Sequence, residues 1–255
     1  QSALNFVNLS QPVTGSLSHA KMLADFGAPF TPPLVIWQFF GNDFNDDYGL
    51  LQWRGDTDAI PDADTQAAQD EEGLSVWLSR HSVTYALLEL VFTGRWSGTP
   101  ESERVFQSQY SATVNERGDT LLFGKQYERR ALDMSRPANQ FGLAQTERAL
   151  RESQALIESW GGRLLVVIIP TREEVYAHLT TPLMGEAELN KIRSAREAML
   201  TLCESLTLQC LDPLNQLQAI AQDGVMLYYS DDMHLNAAGN RALAQIVAER
   251  LAQGD

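Results

Sequence analysis

Apolar residues along the chain form short continuous runs that alternate with longer segments of helical periodicity. The continuous runs predict strands over 4–10, 34–40, 120–124, 163–170 and 206–212. Helical spacing predicts helices over 16–27, 74–93, 141–160, 186–205 and 236–252. The regular alternation predicts an α/β fold, a three-layer α/β/α sandwich with a parallel sheet between its helices.

Local signals refine two of these elements. Residues 16–27 begin with a serine, which favours a serine cap, and end with a glycine, which favours a helix stop. The run LVIWQFF at 34–40 is apolar without alternation, which predicts a strand buried on both faces. The region from 49 to about 140 differs in character, since it contains an acidic loop at 56–72 that has no Lys or Arg.

The charge of the chain excludes some classes of partner. The formal net charge is -14, and such a surface repels nucleic acid and anionic membranes. The longest apolar run, LLVVII at 164–169, is far shorter than the roughly 18–20 residues that a membrane span needs. We therefore expect no nucleic-acid partner and no membrane-spanning helix within the chain.

The two cysteines leave two interpretations open. Cys203 and Cys210 form no C-x-x-C pair, which argues against a structural zinc site. A helix end followed by a strand could bring them within disulfide reach, as suits an oxidising compartment, but two buried thiols fit the sequence equally well. The chain starts at Gln1 without Met, so we expect that an upstream segment was removed.

Three polar stretches follow predicted strands and so fall at one edge of the predicted sheet. They contain Gly15, then Asn42 directly after LVIWQFF, then Asp231, Asp232 and His234. A glycine N–H and an asparagine amide can both donate to an oxyanion. A histidine oriented by an aspartate is the general base that activates a hydroxyl. Singly, each stretch is also typical of a turn or a helix cap.

In these stretches the chain resembles the SGNH (GDSL-type) hydrolase superfamily. VNLSQPVTGS is similar to the family's glycine block, QFFGNDF to its Gly-x-Asn-Asp block, and DDMHLNAAGNRALA to its C-terminal Asp-x-x-His block. IIPTREEVY resembles a late strand and loop of bacterial members, some linked to modification of extracellular polysaccharides. The resemblance implies a flavodoxin-like sandwich, with a serine that hydrolyses or transfers an acyl ester.

The resemblance also implies roles for individual residues. His234 would be the general base, and Gly15 and Asn42 would form the oxyanion hole. Asp231 has the family's usual spacing to the histidine and is slightly favoured to orient it, while Asp232 has the spacing of a D-x-H pattern that some bacterial relatives use. No metal or organic cofactor is required.

The family's Gly-Asp-Ser block does not occur in the sequence. The nearest partial matches are GDT at 55–57 and at 118–120, and neither follows an apolar strand. We therefore expect a single domain over 1–255 that is incomplete at its N-terminus, with 46–140 as an insertion or lid and the serine upstream. A catalytically inactive domain that binds polysaccharide or a protein is the alternative. A purely structural reading, in which all three stretches are turns, is the third.

The sequence also suggests a class of substrate and a cellular location. Arg172, in the PTREEVY segment, is a candidate contact for an anionic or sugar substrate, and a surface salt bridge explains it equally well. The expected partner is a small-molecule or glycan acyl ester. An extracytoplasmic location is expected, and a membrane anchor upstream of the chain is left open.

Overall fold

The computed structural model describes residues 5–12, 14–60, 110–114 and 118–253. The chain divides into two compact units, one of residues 1–58 with 110–255 and one of residues 59–109. All elements described below belong to the first unit. The helix predicted at 74–93 and most of the acidic loop at 56–72 lie outside the described residues.

Two sheets are present in the described part of the chain. The larger contains β1 (Leu34–Phe40), β4 (Arg163–Ile169) and β5 (Gln209–Leu211), all parallel, in the order β1-β4-β5. The smaller is an antiparallel pair of β2 (Tyr110–Thr113) and β3 (Thr120–Phe123). The parallel sheet positions the candidate site, since polar segments follow its strands.

Helices flank the parallel sheet. They are α1 (Ser16–Met22), α2 (Asp43–Arg54), α3 (Gln126–Leu132), α4 (Pro137–Ser159), α5 (Arg172–Val175), α6 (Ala177–Met184), α7 (Glu186–Leu206), α8 (Leu214–Gln222) and α9 (Ala237–Ala252). Helix α4 packs against α1 and α2, α7 packs against α3, and α8 packs against α5 and α9. This arrangement is α/β with a helix-flanked parallel sheet and confirms the predicted fold class.

The core is centred on β4. Its apolar residues from 164 to 168 are all buried, because β1 and β5 pair with it on either side and helices cover it. Strand β1 has the predicted bounds, but the prediction that both of its faces are buried is wrong. Trp37 and Phe39 on one face are buried, whereas Ile36 and Gln38 on the other are exposed. A strand face is buried only where another layer packs on it, and the described residues leave Ile36 and Gln38 uncovered.

Two local predictions near the N-terminus are also wrong. Residues 5–12 have no regular secondary structure, and Phe6 and Val7 are largely exposed. An apolar run becomes a strand only where a neighbour can pair with its backbone groups. Helix α1 is capped by the extended backbone of Gly15 rather than by a serine side chain, and it continues through a π-helical turn to Gly27.

A disulfide joins Cys203 near the end of α7 to Cys210 in β5. It resolves the two interpretations of these cysteines in favour of the bridge and is consistent with an extracytoplasmic location. In the described ranges, no helix has the length and apolar character needed to cross a membrane.

Candidate active site

His234 and Asp232 lie together on a loop between β-bridged residues. Tyr228 and Leu235 form an antiparallel bridge, and residues 229–234 between them are here called the His234 loop. The carboxylate Oδ1 of Asp232 contacts Nδ1 of the His234 ring and also accepts the His234 backbone N–H at 2.9 Å. With Nδ1 turned to the carboxylate, Nε2 is the ring nitrogen that can accept a proton from a hydroxyl.

The pair is open to solvent, and the contact with His234 affects the titration of Asp232. The side chains are 75% exposed for His234 and 49% for Asp232. Partial burial opposes ionisation of Asp232, but hydrogen bonds from the His234 backbone and ring outweigh it and lower the pKa of Asp232. Asp231 is exposed, and the ring contact falls to Asp232, so the geometry favours the D-x-H spacing over the Asp231 spacing.

The start of α9 anchors the C-terminal end of the His234 loop. Asn236 caps the helix, since its Oδ1 accepts the backbone N–H groups of Ala238 and Gly239 at 2.8 and 3.0 Å. Its Nδ2 donates to the carbonyls of Met226 and Tyr228. One side chain thereby ties the helix to the segment that precedes the loop.

Gly15 lies against the first turns of α2. A Cβ atom at this position would lie 2.4 Å from Asp47 Oδ1 and 2.7 Å from the Asp43 carbonyl oxygen. Only glycine therefore allows the chain to pass this close to α2. Immediately after it, the Leu17 N–H donates to Asp47 Oδ1 at 2.8 Å, which fastens the start of α1 to the same helix.

Asn42 is the residue that precedes α2, so it lies beside the Gly15 turn. Its Nδ2 donates to Asp46 Oδ2 at 3.0 Å and lies 3.4 Å from the Tyr127 hydroxyl oxygen. That hydroxyl in turn donates to Asp46 Oδ1 at 3.2 Å. The structure thus brings the two predicted oxyanion donors, Gly15 and Asn42, to the same end of α2.

Three carboxyl groups, here called the acidic turn, lie behind these donors: Asp43, Asp46 and Asp47. Burial raises the pKa of Asp43 well above its usual value, and the nearby Asp47 raises it further. Burial raises the pKa of Asp47 to about 7, although hydrogen bonds from the Leu17 N–H and the Thr146 hydroxyl oppose the shift. Burial also raises the pKa of Asp46.

Arg172 does not lie where the sequence predicted. Its side chain is 0% exposed, so the prediction of a substrate contact or a surface salt bridge is wrong. Arg172 is the first residue of α5, directly after Thr171, which forms a reciprocal capping box with Glu174. This cap turns the chain sharply after β4, and the guanidinium points inward to the carbonyl of Asp232 at 3.0 Å.

The remaining sequence candidates do not contribute to this site. Thr120 of the second partial GDT match opens β3 in the antiparallel pair, and its hydroxyl donates to the Gly118 carbonyl. Gly55 of the first partial match ends α2 with a left-handed backbone. Within the described ranges, no group of three or more His, Cys, Asp or Glu side chains is arranged to hold a metal ion.

Comparison with protein families places this geometry in context. Residues 98–255, more than half of the chain, match the family described as SGNH hydrolase-like domain, acetyltransferase AlgX. The chain belongs to this family. Searches of curated proteins and of solved structures found no match. The SGNH resemblance is thereby confirmed, and membership supports an acyl hydrolase or acyltransferase kind of function.

The match covers the two halves of the site unequally. Arg172, Asp232 and His234 fall within it, whereas Gly15 and Asn42 lie before it. The interpretation of the Gly15–Asn42 half therefore rests on its geometry and on the sequence blocks.

Sequence reasoning missed several residues that surround the site. Asp46 and Asp47 had a detectable signal, since spacings of three and four from Asp43 place all three on one side of a helix. Tyr127 and Glu128 had none, because only the tertiary fold carries α3 to the site.

Proposed function

We propose that the protein is an SGNH-type serine hydrolase or acyltransferase that acts on an acyl ester, including acetyl esters of a glycan. The nucleophilic serine comes from sequence upstream of residue 1. The observation that carries the proposal is the contact of the Asp232 carboxylate with Nδ1 of His234, on an exposed loop in a chain of the SGNH family. The family is named for an acetyltransferase, which supports acetyl as the acyl group.

The chemistry assigns one task to each group. The serine hydroxyl adds to the acyl carbonyl carbon while His234 Nε2 takes its proton and Asp232 holds the ring. The electron pair of the broken carbonyl π bond moves to oxygen. There the Gly15 N–H donates, together with the Asn42 amide hydrogen that leaves its long 3.4 Å contact with the Tyr127 hydroxyl. Collapse releases the alcohol with the proton from His234 and leaves an acyl-serine. Water or an acceptor hydroxyl then adds by the same steps and frees the serine.

The sheet supports an additional strand as the source of that serine. Among the described strands, β4 alone pairs with β1, and Ile36 and Gln38 on β1 are exposed. A parallel strand beside β1 would end at the same edge as Asn42. Neighbouring strands place their side chains side by side on each face, so this strand would contact Ile36 laterally.

The test uses the longer protein that includes the upstream segment, with p-nitrophenyl acetate as substrate. His234→Ala is expected to lower kcat by on the order of 10³–10⁴, and Asn42→Ala by on the order of 10²–10³. The exposed His178 provides a matched control, and His178→Ala should retain activity. Asp232→Asn should reduce kcat far more than Asp231→Asn. Equal rates in wild type and His234→Ala would reject the assignment.

A second measurement separates transfer from hydrolysis. Release of p-nitrophenol and of free acetate is followed together, with and without an oligosaccharide acceptor. A transferase releases more p-nitrophenol than acetate when the acceptor is present, and a hydrolase releases equal amounts. If the upstream sequence has no serine after an apolar strand, and the longer protein lacks turnover, the inactive binding domain becomes the better interpretation.

A further inference from the structure

The buried guanidinium of Arg172 contacts the backbone of the His234 loop. Its Nη1 lies 3.0 Å from the carbonyl oxygen of Asp232 and 3.4 Å from that of Ser230. The Leu122 N–H of β3 also donates to the Ser230 carbonyl, at 2.7 Å. The two carbonyls therefore flank Asp231 and are held from inside the protein, while the side chains of Asp232 and His234 remain at the surface.

Two buried glutamates accompany Arg172, and the three side chains are here called the guanidinium cluster. Arg172 Nη2 lies 3.5 Å from Glu128 Oε2 and 3.5 Å from Glu173 Oε1. Burial raises the pKa of Glu128 well above its usual value, and the neighbouring Glu173 raises it further. Glu173 also accepts the Gly124 N–H at 2.9 Å. The cluster thus places one guanidinium between two buried carboxyl groups.

Stability alone gives a weak reason for this cluster. A buried ion pair recovers the cost of desolvation only with good geometry, and apolar residues of similar volume often serve as well or better. Both Arg172–glutamate distances are long, and Arg172 Nε is buried without a hydrogen-bond acceptor in the described part of the chain. The short contact is the one to the Asp232 carbonyl. The cluster is thus better arranged to hold the loop than to hold its own charges.

Helix α3 extends the connection to the other half of the site. Glu128 in α3 faces Arg172, and the preceding residue, Tyr127, places its hydroxyl between Asn42 and Asp46. Consecutive residues of one short helix thus contact both the cluster that holds Asp232 and the amide beside the acidic turn.

We propose that Arg172 is a positioning residue that fixes the backbone of the His234 loop, so that the Asp232 carboxylate meets His234 Nδ1. This role rests on the proposed function of that pair. Arg172 acts through Asp232 and does not touch substrate. A variant that loosens the loop should therefore lower kcat and leave KM nearly unchanged.

The first test replaces the forked guanidinium with a point charge in the longer protein. Arg172→Lys keeps the charge but replaces the separate Nη1 and Nη2 donors with a single ammonium group. We therefore expect kcat to fall about 10–100-fold. Arg196→Lys is the matched control. Arg196 also pairs with two carboxylates, Glu174 and Asp212, both at 2.6 Å, and among the described residues these contacts lie away from the His234 loop. It should lose stability and keep kcat per folded molecule.

The second test needs no catalysis and uses the 255-residue chain. Imidazole nitrogen NMR shifts report the tautomer of His234, and a His234→Gln variant assigns its signals among the four histidines. In wild type we expect one dominant tautomer with the proton on Nδ1. In Arg172→Lys and in Glu173→Gln we expect a mixture of tautomers, and in Arg196→Lys the wild-type signals.

The outcomes separate this proposal from the proposed function. Full activity of His234→Ala would reject the catalytic role, while the NMR comparison would still test whether Arg172 holds the loop. Unchanged tautomers and unchanged kcat in Arg172→Lys would overturn the positioning role. A raised KM with constant kcat would overturn it in favour of a substrate contact. Loss of fold in both Arg172→Lys and Glu173→Gln would assign the cluster to stability and overturn it as well.

Discussion

The two halves of the candidate site are held in electrostatically opposite ways. The His234 loop lies at the surface over a buried cation, Arg172, whose neighbours are carboxyl groups. Gly15 and Asn42 lie over the acidic turn, whose carboxyl groups are held by uncharged donors such as the Leu17 N–H and the Thr146 hydroxyl. The His234 loop is thus supported by a cation among carboxyl groups, whereas Gly15 and Asn42 are supported by buried carboxyl groups with uncharged donors.

The contrast appears in how the aspartates titrate. Hydrogen bonds from His234 lower the pKa of exposed Asp232, whereas burial raises the pKa of Asp47 to about 7 and that of Asp43 higher than usual. Asp232 is therefore ionised at neutral pH, as a residue that orients an imidazole must be. Asp43 and Asp47 retain protons more readily, because burial disfavours their charged forms. The same residue type thus serves two purposes, set by burial and by the hydrogen bonds and charges around each carboxyl group.

The largest expected effect is a loss of stability when α4 is forced away from α2. Helix α2 contains the acidic turn. A Cβ at Gly142 of α4 would lie 1.8 Å from the Phe44 carbonyl oxygen, so Gly142→Ala should destabilise the protein by about 3 kcal/mol or more. The measurement is urea unfolding. Gly49→Ala in α2 is the matched control, because a Cβ there meets nothing within 4 Å. It should be neutral or gain up to about 1 kcal/mol.

This variant also tests whether the two halves are independent. Since the atoms nearest to a Cβ at Gly142 belong to Phe44 of α2, the His234 imidazole signals of folded Gly142→Ala should match wild type. If they change, the halves are coupled more tightly than the contacts indicate. A free energy of unfolding equal to that of wild type would mean that α4 can move away from Phe44 at little cost.

The next effect is a pH dependence that belongs to the acidic turn. The folded pKa of Asp47, about 7, lies above its ordinary value of 3.8, so the folded state binds the proton more strongly. Its contribution to stability is therefore greatest below about pH 4 and is lost as pH rises to about 7, with a total on the order of a few kcal/mol. Asp47→Asn imitates the protonated group and should remove this slope.

The measurement is the free energy of unfolding from pH 4 to pH 8 for both proteins. The variant should match wild type near pH 4 and exceed it in stability near pH 8. Asp231→Asn serves as the control on the exposed half, and its pH profile should follow wild type. A constant difference between Asp47→Asn and wild type across this range would contradict the raised pKa.

Sequence pattern predicted the elements that depend on local order. The run LVIWQFF forms a strand with the predicted bounds. The final helix begins at Ala237, one residue after its predicted start, because Asn236 is its N-cap. The pairing of His234 with a neighbouring aspartate was predicted as well, since two residues of separation allow a local contact. In each case the determining interactions lie within a few residues.

Other features depended on contacts between distant segments. Residues 5–10 are as apolar as a strand, but pairing decides whether they form one. Arg172 resembles a surface residue in the sequence, but Phe123 of β3 and the His234 loop lie against its guanidinium in the fold. Helix α3 contacts Asn42 across 85 positions of sequence, through Tyr127, and no pattern in one chain announces such a contact.

The smallest expected effect concerns the hydroxyl that connects α3 to the Gly15–Asn42 half. Tyr127→Phe removes the acceptor 3.4 Å from Asn42 Nδ2 and the donor to Asp46, but Nδ2 keeps its 3.0 Å bond to Asp46 Oδ2. Because Tyr127 is partly exposed, water can replace the hydroxyl, and kcat of the longer protein should fall only about two- to tenfold, the equivalent of one net hydrogen bond. Tyr229→Phe, an exposed tyrosine on the His234 loop, is the control and should keep kcat. A loss as large as that of Asn42→Ala would show that the hydroxyl, and not Asp46, orients the amide.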